Sequence, residues 1–144
     1  MKKYSFWLKT AAVLQILTAL VHSTSFFIKD EPQNETEKQL HELFTTYHKD
    51  LGAGFHPTFS DLFISISAGF ALLYLLGGLL NWFLVKRVNP EIMKGVLNIN
   101  IVVFGICFGV AAVFTFIMPI IVTGLVFLAL LITRFSMPKF KTMY

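Results

Sequence analysis

The chain has 144 residues, of which 56% are hydrophobic and only 14% are charged. A soluble domain carries about 25% charged residues, so this composition excludes an ordinary water-soluble fold. The net charge of +4 does not indicate a nucleic-acid partner, because the basic residues flank the apolar segments and form no patch.

Four apolar segments are each long enough to cross a bilayer, which takes roughly 20 residues. They cover residues 6–27, 59–85, 90–118 and 119–135. The pattern predicts an all-α fold in a single domain, a membrane four-helix bundle with up-down topology.

The first segment also fits a secretory signal peptide. Two lysines precede the apolar run, and the small polar residues at 23–25 resemble a cleavage site. Lys9 and Gln15 interrupt the run, however, which favours a helix that is retained in the mature protein.

Residues 28–58 form a polar loop that contains a predicted amphipathic helix over residues 35–51. Asn34 and Glu37 have capping-box spacing at its start, and two glycines after Leu51 supply a stop. The helix should lie along the outer surface, with its apolar face on the bundle or in the lipid headgroup layer. It either covers hydrophobic surface or acts as a lid over a pocket. Its apolar stripe consists of Leu40, Leu43, Phe44, Tyr47 and Leu51.

The third segment begins with a capping signal, in which Asn89 precedes Pro90. Only a tight turn over residues 117–119 separates it from the fourth segment, so the two predict an antiparallel hairpin. Gly105 and Gly109 form a GxxxG pattern that lets helix backbones approach closely. In a four-helix chain this pattern indicates an intramolecular packing contact more than a dimer seam, and it leaves a homo-oligomer open.

Polar residues at membrane depth are costly, so they normally face the interior of a protein and often mark function. His22 and Asp61 are the candidate catalytic pair, because a carboxylate beside an imidazole orients it and raises its basicity. His56 lies at the entry to the second segment and could join them. The candidate ligand pocket comprises Gln15, Thr18, His22, Ser25, His56, Asp61 and Ser65. A second set of small or polar residues shares another face of the second segment: Tyr74, Gly77 and Asn81.

A metal ion is an alternative role for the outer histidines. His41 and His48 lie seven residues apart, about 10.5 Å along a helix, which is too far for ligands about 2 Å from one ion. A site built from His22, His56 and Asp61 stays open, although Asp61 also fits a cap in the first turn of its helix. The single cysteine excludes a paired-thiol site. The sequence therefore predicts neither a metal site nor a cofactor.

The distribution of lysine and arginine predicts the orientation of the segments. Nine of the twelve basic residues lie at the N-terminal end, between the second and third segments, or at the C-terminal end. The other three lie in the loop 28–58. Because basic residues stay on the cytoplasmic side, both termini are predicted to be cytoplasmic. The nine are Lys2, Lys3, Lys9, Lys86, Arg87, Lys94, Arg134, Lys139 and Lys141.

Three passages carry a resemblance to known proteins. They are the opening MKKYSFWLKTAAVLQILTALVHS, the entry LGAGFHPTFSDLF to the second segment, and NPEIMKGVLNINIVVFG at the start of the third. In these passages the chain resembles small bacterial membrane proteins of four spans. The resemblance covers nearly the whole chain and implies a multi-pass protein of the bacterial inner membrane. That family has no assigned activity, so the resemblance implies no residue roles.

Two classes of function fit these patterns. The first is a structural or accessory membrane protein, or one that binds a lipid-like small molecule within the bundle, with membrane lipids as its surroundings. The second is an enzyme that acts on a membrane-soluble substrate at the outer leaflet, with His22 and Asp61 as an acid–base pair. A channel or transporter fits less well, because the segments carry no charge pair at mid-membrane.

Overall fold

A computed structural model of the chain describes residues 3–28, 31–87 and 89–138. Within these ranges the chain is all-helical, as predicted, and has five helices. Their bounds are α1 Lys3–Thr24, α2 Glu35–Thr46, α3 Phe59–Arg87, α4 Pro90–Phe114 and α5 Ile117–Phe135. All except α2 are long and apolar enough to cross a membrane. Four lysines that contribute to the predicted orientation lie outside the described residues: Lys2, Lys29, Lys139 and Lys141.

The chain divides into two compact units, and α1 and α3 each contribute to both. One unit comprises the described residues up to Thr18 and those from Tyr74 onward. The other unit is Ala19–Leu73.

The helices of the first unit each bury one face. α1 buries Leu8, Ala11 and Ala12, whose spacing of three and four residues places them on one side of the helix. The residues that α5 buries follow the same spacing: Thr123, Val126, Ala129, Leu130 and Thr133. The core of this unit therefore mixes small, apolar and polar side chains.

The turn between α4 and α5 lies earlier than predicted. Thr115 ends α4, where its N–H and its hydroxyl donate to the carbonyl of Ala111 at 3.0 and 2.7 Å. α5 then begins at Ile117 rather than at Pro119. Pro119 occupies the first turn of α5, where backbone N–H groups have no partner within the helix. The proline thus lies inside the helix start, and the loop precedes it.

Reciprocal contacts between phenylalanine rings and glycines join α4 to α5. A Cβ atom on Gly105 would lie 2.9 Å from the ring of Phe127, and one on Gly124 would lie 3.1 Å from the ring of Phe108. The two rings stack with their centroids 6.0 Å apart. Gly105 and Phe127 both lie farther from the turn than Phe108 and Gly124 do. The two helices therefore run antiparallel. Gly109, the second glycine of the GxxxG pattern, has no atom within 4 Å of its Cβ position among the described residues.

In the second unit, the predicted pair of Asn34 and Glu37 caps the start of α2, although the Glu37 carboxylate accepts the backbone N–H of Gln33 rather than that of Asn34. Asn34 Oδ1 accepts the backbone N–H of Glu37 at 2.9 Å, and the Glu37 carboxylate accepts the side-chain amide of Asn34 at 2.9 Å. The predicted end of this helix at Leu51 is wrong, because α2 ends at Thr46. Leu51 therefore does not belong to its apolar stripe.

Residues 47–58 form a hairpin-like loop instead of continuing the helix. The N–H of Lys49 donates to the carbonyl of Pro57 at 2.9 Å, and that of Leu51 to Phe55 at 3.1 Å. Residues 52–54 all have positive φ angles and reverse the chain. The two glycines thus make the turn of a hairpin, and α2 stops before them.

Candidate functional site

Three buried carboxamides from α1, α3 and α4 meet in the first unit. Asn81 Nδ2 donates to Gln15 Oε1 at 2.9 Å and lies 3.3 Å from Asn100 Oδ1. The Asn100 amide donates in turn to the carbonyl of Val96 at 2.9 Å. All three side chains are buried. We call Gln15, Asn81 and Asn100 the amide cluster.

Two consecutive glycines of α3 make room for the amide cluster. A Cβ atom on Gly77 would lie 2.8 Å from Gln15 Nε2 and 2.5 Å from Phe104 Cζ. A Cβ atom on Gly78 would lie 2.9 Å from the carbonyl oxygen of Ala12. Because these positions lack side chains, α1 and α3 approach closely enough for their amides to bond.

The amide cluster has a limited chemical repertoire. Carboxamides donate and accept hydrogen bonds, but they neither ionise near neutral pH nor act as activated nucleophiles. Gln15 Nε2 is buried and has no hydrogen-bond partner among the described residues. This nitrogen faces Phe104 at the position where Gly77 lacks a side chain. The cluster can therefore connect helices or hold a polar group, but it cannot carry acid–base catalysis.

His22 lies between aromatic rings in the second unit. Its ring centroid is 4.9 Å from that of Phe70 and 6.2 Å from that of Phe26. Its Nε2 is buried without a hydrogen-bond partner in the described part of the chain. Phe70 follows Asp61 by nine residues on α3, which is about 13.5 Å along the helix axis. His22 and Asp61 therefore do not meet as a hydrogen-bonded pair.

Asp61 caps the first turn of α3. Its Oδ2 accepts both the backbone N–H and the hydroxyl of Thr58, at 2.9 and 2.7 Å. The Thr58 hydroxyl accepts the N–H of Asp61 at 3.1 Å. This reciprocal arrangement is a capping box, the structural role that the sequence left open for Asp61.

Two of the other outer histidines, His48 and His56, belong to the hairpin-like loop, and His41 lies on α2. His48 Nδ1 lies 2.6 Å from the carbonyl oxygen of His56, and His56 Nδ1 lies 3.8 Å from the carboxylate of Asp50. Both histidines are exposed. No group of three histidine, cysteine, aspartate or glutamate side chains within the described ranges is arranged to hold a metal ion.

Three further residues of the sequence-based pocket bond to their own helices. The hydroxyl of Thr18 donates to Leu14, that of Ser25 to His22 and that of Ser65 to Asp61, all at 2.7 to 2.8 Å. A hydroxyl that donates its proton to its own backbone can offer a ligand only an acceptor. Gln15 differs from these three residues, because its amide bonds to another helix.

An open groove of about 310 Å³ lies between α1 and α3 in the first unit. It is adjacent to Gly78, whose close contact with Ile16 sets the distance between the two helices. Its lining is almost entirely apolar. The lining residues are Val13, Ile16, Leu17, Leu79 and Trp82.

Sequence reasoning did not identify Asn100 as a member of the site. The sequence pattern places Asn98 on the same side of α4 as Gly105 and Gly109, but Asn98 is exposed and accepts a hydrogen bond from Arg134 at 2.9 Å. Asn100 lies three residues after Leu97 and four before Phe104, both of them buried. This spacing places Asn100 on the core face of α4, and it is the sequence pattern from which its burial could have been predicted.

Comparison with models of known protein families, with characterised proteins and with solved structures finds no match to this chain. The assignment of function therefore depends on the geometry of its own residues.

Proposed function

We propose that this chain is an integral membrane protein with a non-catalytic role, either as a structural or accessory component or as a binder of a lipid-like molecule. One observation carries the proposal. Large apolar side chains are exposed along the long helices, while the side chains of the amide cluster are buried. Val21, Ile66 and Val113 are each more than half exposed. A water-soluble protein would pay heavily for this arrangement, whereas a bilayer favours it.

In this proposal α1, α3, α4 and α5 cross the bilayer as an up-down bundle. The excess of lysine and arginine at the chain ends and near the α3–α4 junction supports cytoplasmic termini. The proposed location is the inner membrane of a bacterium, which is what the resemblance in the sequence implies. Extraction of cell membranes tests the embedding: we expect the protein to stay with the membrane in alkaline carbonate and to dissolve only in detergent. Release by carbonate would contradict it.

The groove between α1 and α3 supports the lipid-binding form of the proposal. Its lining is apolar and matches an acyl chain or a similar ligand better than a polar molecule. We expect mass spectrometry of the purified protein to detect a retained lipid-like molecule. Leu17→Trp fills the groove and should release that molecule, whereas Leu20→Trp is a matched control at an exposed position outside the lining. If the wild type retains no such molecule, the accessory role is favoured.

The enzyme alternative is supported by His22 Nε2, which is buried and has no hydrogen-bond partner among the described residues. The proposed pairing of His22 with Asp61 has no such support. The variants His22→Ala and Asp61→Asn test it against the phenotype of a deletion strain. We expect both variants to retain wild-type function, and Asp61→Asn to lose some stability through its weakened cap. Loss of function in His22→Ala with unchanged stability would favour the enzyme.

A further inference from the structure

The second unit exposes apolar side chains that its own fold does not cover. Leu40 and Leu43 on α2 are 64% and 61% exposed. They belong to the same stripe as Phe44, which is half-buried. The stripe is therefore wider than the surface on which α2 packs, and the described residues leave about half of it uncovered.

Aromatic contacts fix α2 at the beginning of α3. The ring centroid of Phe44 lies 6.3 Å from that of Phe59 and 6.1 Å from that of Phe63. Tyr47 stacks on Phe59 at 6.1 Å, and the ammonium group of Lys49 lies 5.7 Å from the centre of the same ring. These contacts hold α2 beside the first turn of the second candidate span.

The position of these contacts along α3 sets the depth of α2 relative to the start of the candidate span. Phe63 follows Phe59 by four residues, which is about 6 Å along the helix axis. Amphipathic helices that lie in a bilayer surface bury their apolar face about 5–10 Å into the boundary between headgroups and acyl chains. A helix that rests on both rings is therefore at the right height for Leu40 and Leu43 to enter this boundary.

The length and charge of α2 restrict how it can meet the membrane. Its 12 residues are too few to cross a bilayer. Its charged side chains are three glutamates and one lysine, so attraction to anionic lipids cannot hold it at the surface. Tyr47 and Lys49 have the amphipathic character typical of residues at a membrane interface.

We propose that α2 binds the bilayer surface beside the start of α3, with Leu40 and Leu43 inserted among the lipid headgroups. This inference rests on the proposed membrane embedding of α3. The occupant of the exposed stripe is phospholipid, because the stripe continues onto Phe59 and Phe63, whose rings are themselves exposed at the start of the candidate span.

Fluorescence quenching in phosphatidylcholine vesicles tests the inference. The chain contains two tryptophans, Trp7 and Trp82, and replacing both with phenylalanine gives a background without tryptophan. Leu43→Trp in this background reports on the apolar stripe. Thr45→Trp is its matched control, since two residues correspond to a rotation of about 200° around the helix. Trp7→Phe alone leaves Trp82 as a reporter on the embedding of α3.

We expect lipid brominated near its headgroup to quench Leu43→Trp several-fold more strongly than Thr45→Trp. Acrylamide in the aqueous phase should give the reverse order. Because the contact is apolar, high salt should leave both results unchanged. Leu40→Trp provides a second probe of the same stripe if Leu43→Trp does not fold.

Two results would overturn this inference without contradicting the proposed membrane embedding. Equal quenching of Leu43→Trp and Thr45→Trp by acrylamide would mean that α2 is free in water. Protection of Leu43→Trp from both quenchers would mean that protein covers the stripe, either as a closed lid or as a second copy. The bromine can be placed at different positions along the acyl chain. If none of these lipids quenched Trp82 either, the proposed membrane embedding would itself be contradicted.

Discussion

Gln15, Asn81 and Asn100 determine which faces of their helices meet. A carboxamide without a partner in hydrocarbon costs several kcal/mol, although the bond it makes with another helix contributes only about 1 kcal/mol. The penalty for leaving the amide unpaired therefore specifies the packing more strongly than the bond itself. Threonines such as Thr123 and Thr133 impose no such requirement, because their hydroxyls bond to carbonyls of their own helix.

Asn81 is the central member of the amide cluster, and its replacement should destabilise the bundle. Asn81→Leu removes the donor that Gln15 Oε1 accepts and a neighbour of Asn100 Oδ1. We expect the free energy of unfolding to fall by about 1 to 2 kcal/mol. Titration with sodium dodecyl sulfate in detergent micelles, followed by circular dichroism, measures this change.

Two comparisons separate the amide contacts from a general effect of substitution. Asn98→Leu removes an exposed amide together with its bond from Arg134, and should cost less than Asn81→Leu because neither group is buried. The double variant Gln15→Leu with Asn81→Leu should lose less than the sum of the two single variants, because it removes both partners of one bond. An Asn81→Leu protein as stable as wild type would show that the cluster contributes nothing.

At the scale of helices, Gly78 controls the approach of α1 to α3. Its Cβ position lies 2.9 Å from the carbonyl oxygen of Ala12 and 2.7 Å from a side-chain carbon of Ile16. A side chain can rotate away, but the backbone of α1 cannot yield without moving the helix. The contact at Gly78 thus also sets the geometry of the amide cluster and of the groove.

Gly78→Ala should force α1 and α3 apart. We expect a loss of about 1 to 3 kcal/mol in the free energy of unfolding, and a lower melting temperature in detergent. Gly109→Ala is the matched control, since no described atom lies within 4 Å of its Cβ position. Alanine there should be neutral, or should stabilise α4 by up to about 1 kcal/mol. Equal effects of the two variants would mean that Gly78 is not a contact point.

Helix starts could be predicted from the sequence more accurately than helix ends. Asn34 and Asn89 are caps whose side chains accept a backbone N–H, and a local signal of this kind needs no knowledge of neighbours. The end of α2 depended instead on the hairpin over residues 47–58, whose hydrogen bonds connect residues distant along the chain. Helical periodicity continued through Tyr47, so the sequence pattern alone extended the helix too far.

The candidate site could be predicted only in part. Gln15 and Asn81 stood out as polar residues within apolar segments, but the sequence did not indicate that they meet each other. The polar face of α1 extends from Gln15 to Ser25, about 15 Å along the axis, and can contact different neighbours at different depths. Periodicity specifies the face of a helix on which a residue lies, but it does not specify which residue of another helix contacts it. The pairing of His22 with Asp61 was predicted for this reason.

At the scale of the whole molecule, the distribution of charge predicts a direction of crossing for the four long helices if they span a membrane, as we propose. The turn over residues 115–116 and its flanking helix ends carry no lysine or arginine, whereas the junction between α3 and α4 carries Lys86, Arg87 and Lys94. Retaining these cations in the cytoplasm places residues 25–58 and the α4–α5 turn on the opposite side.

Reporter fusions measure this topology at four points of the chain. Alkaline phosphatase folds only outside the cytoplasm, and we expect it to be active when fused after Gly52 or after Thr115. Green fluorescent protein should fluoresce when fused after Asn89 or after Tyr144. Each fusion point receives both reporters, so that a silent fusion is distinguished from an unstable one. Phosphatase activity after Tyr144 with no activity after Gly52 would mean that the bundle is inverted. Activity after both would mean that an even number of helices, rather than α3, α4 and α5, crosses the membrane between them.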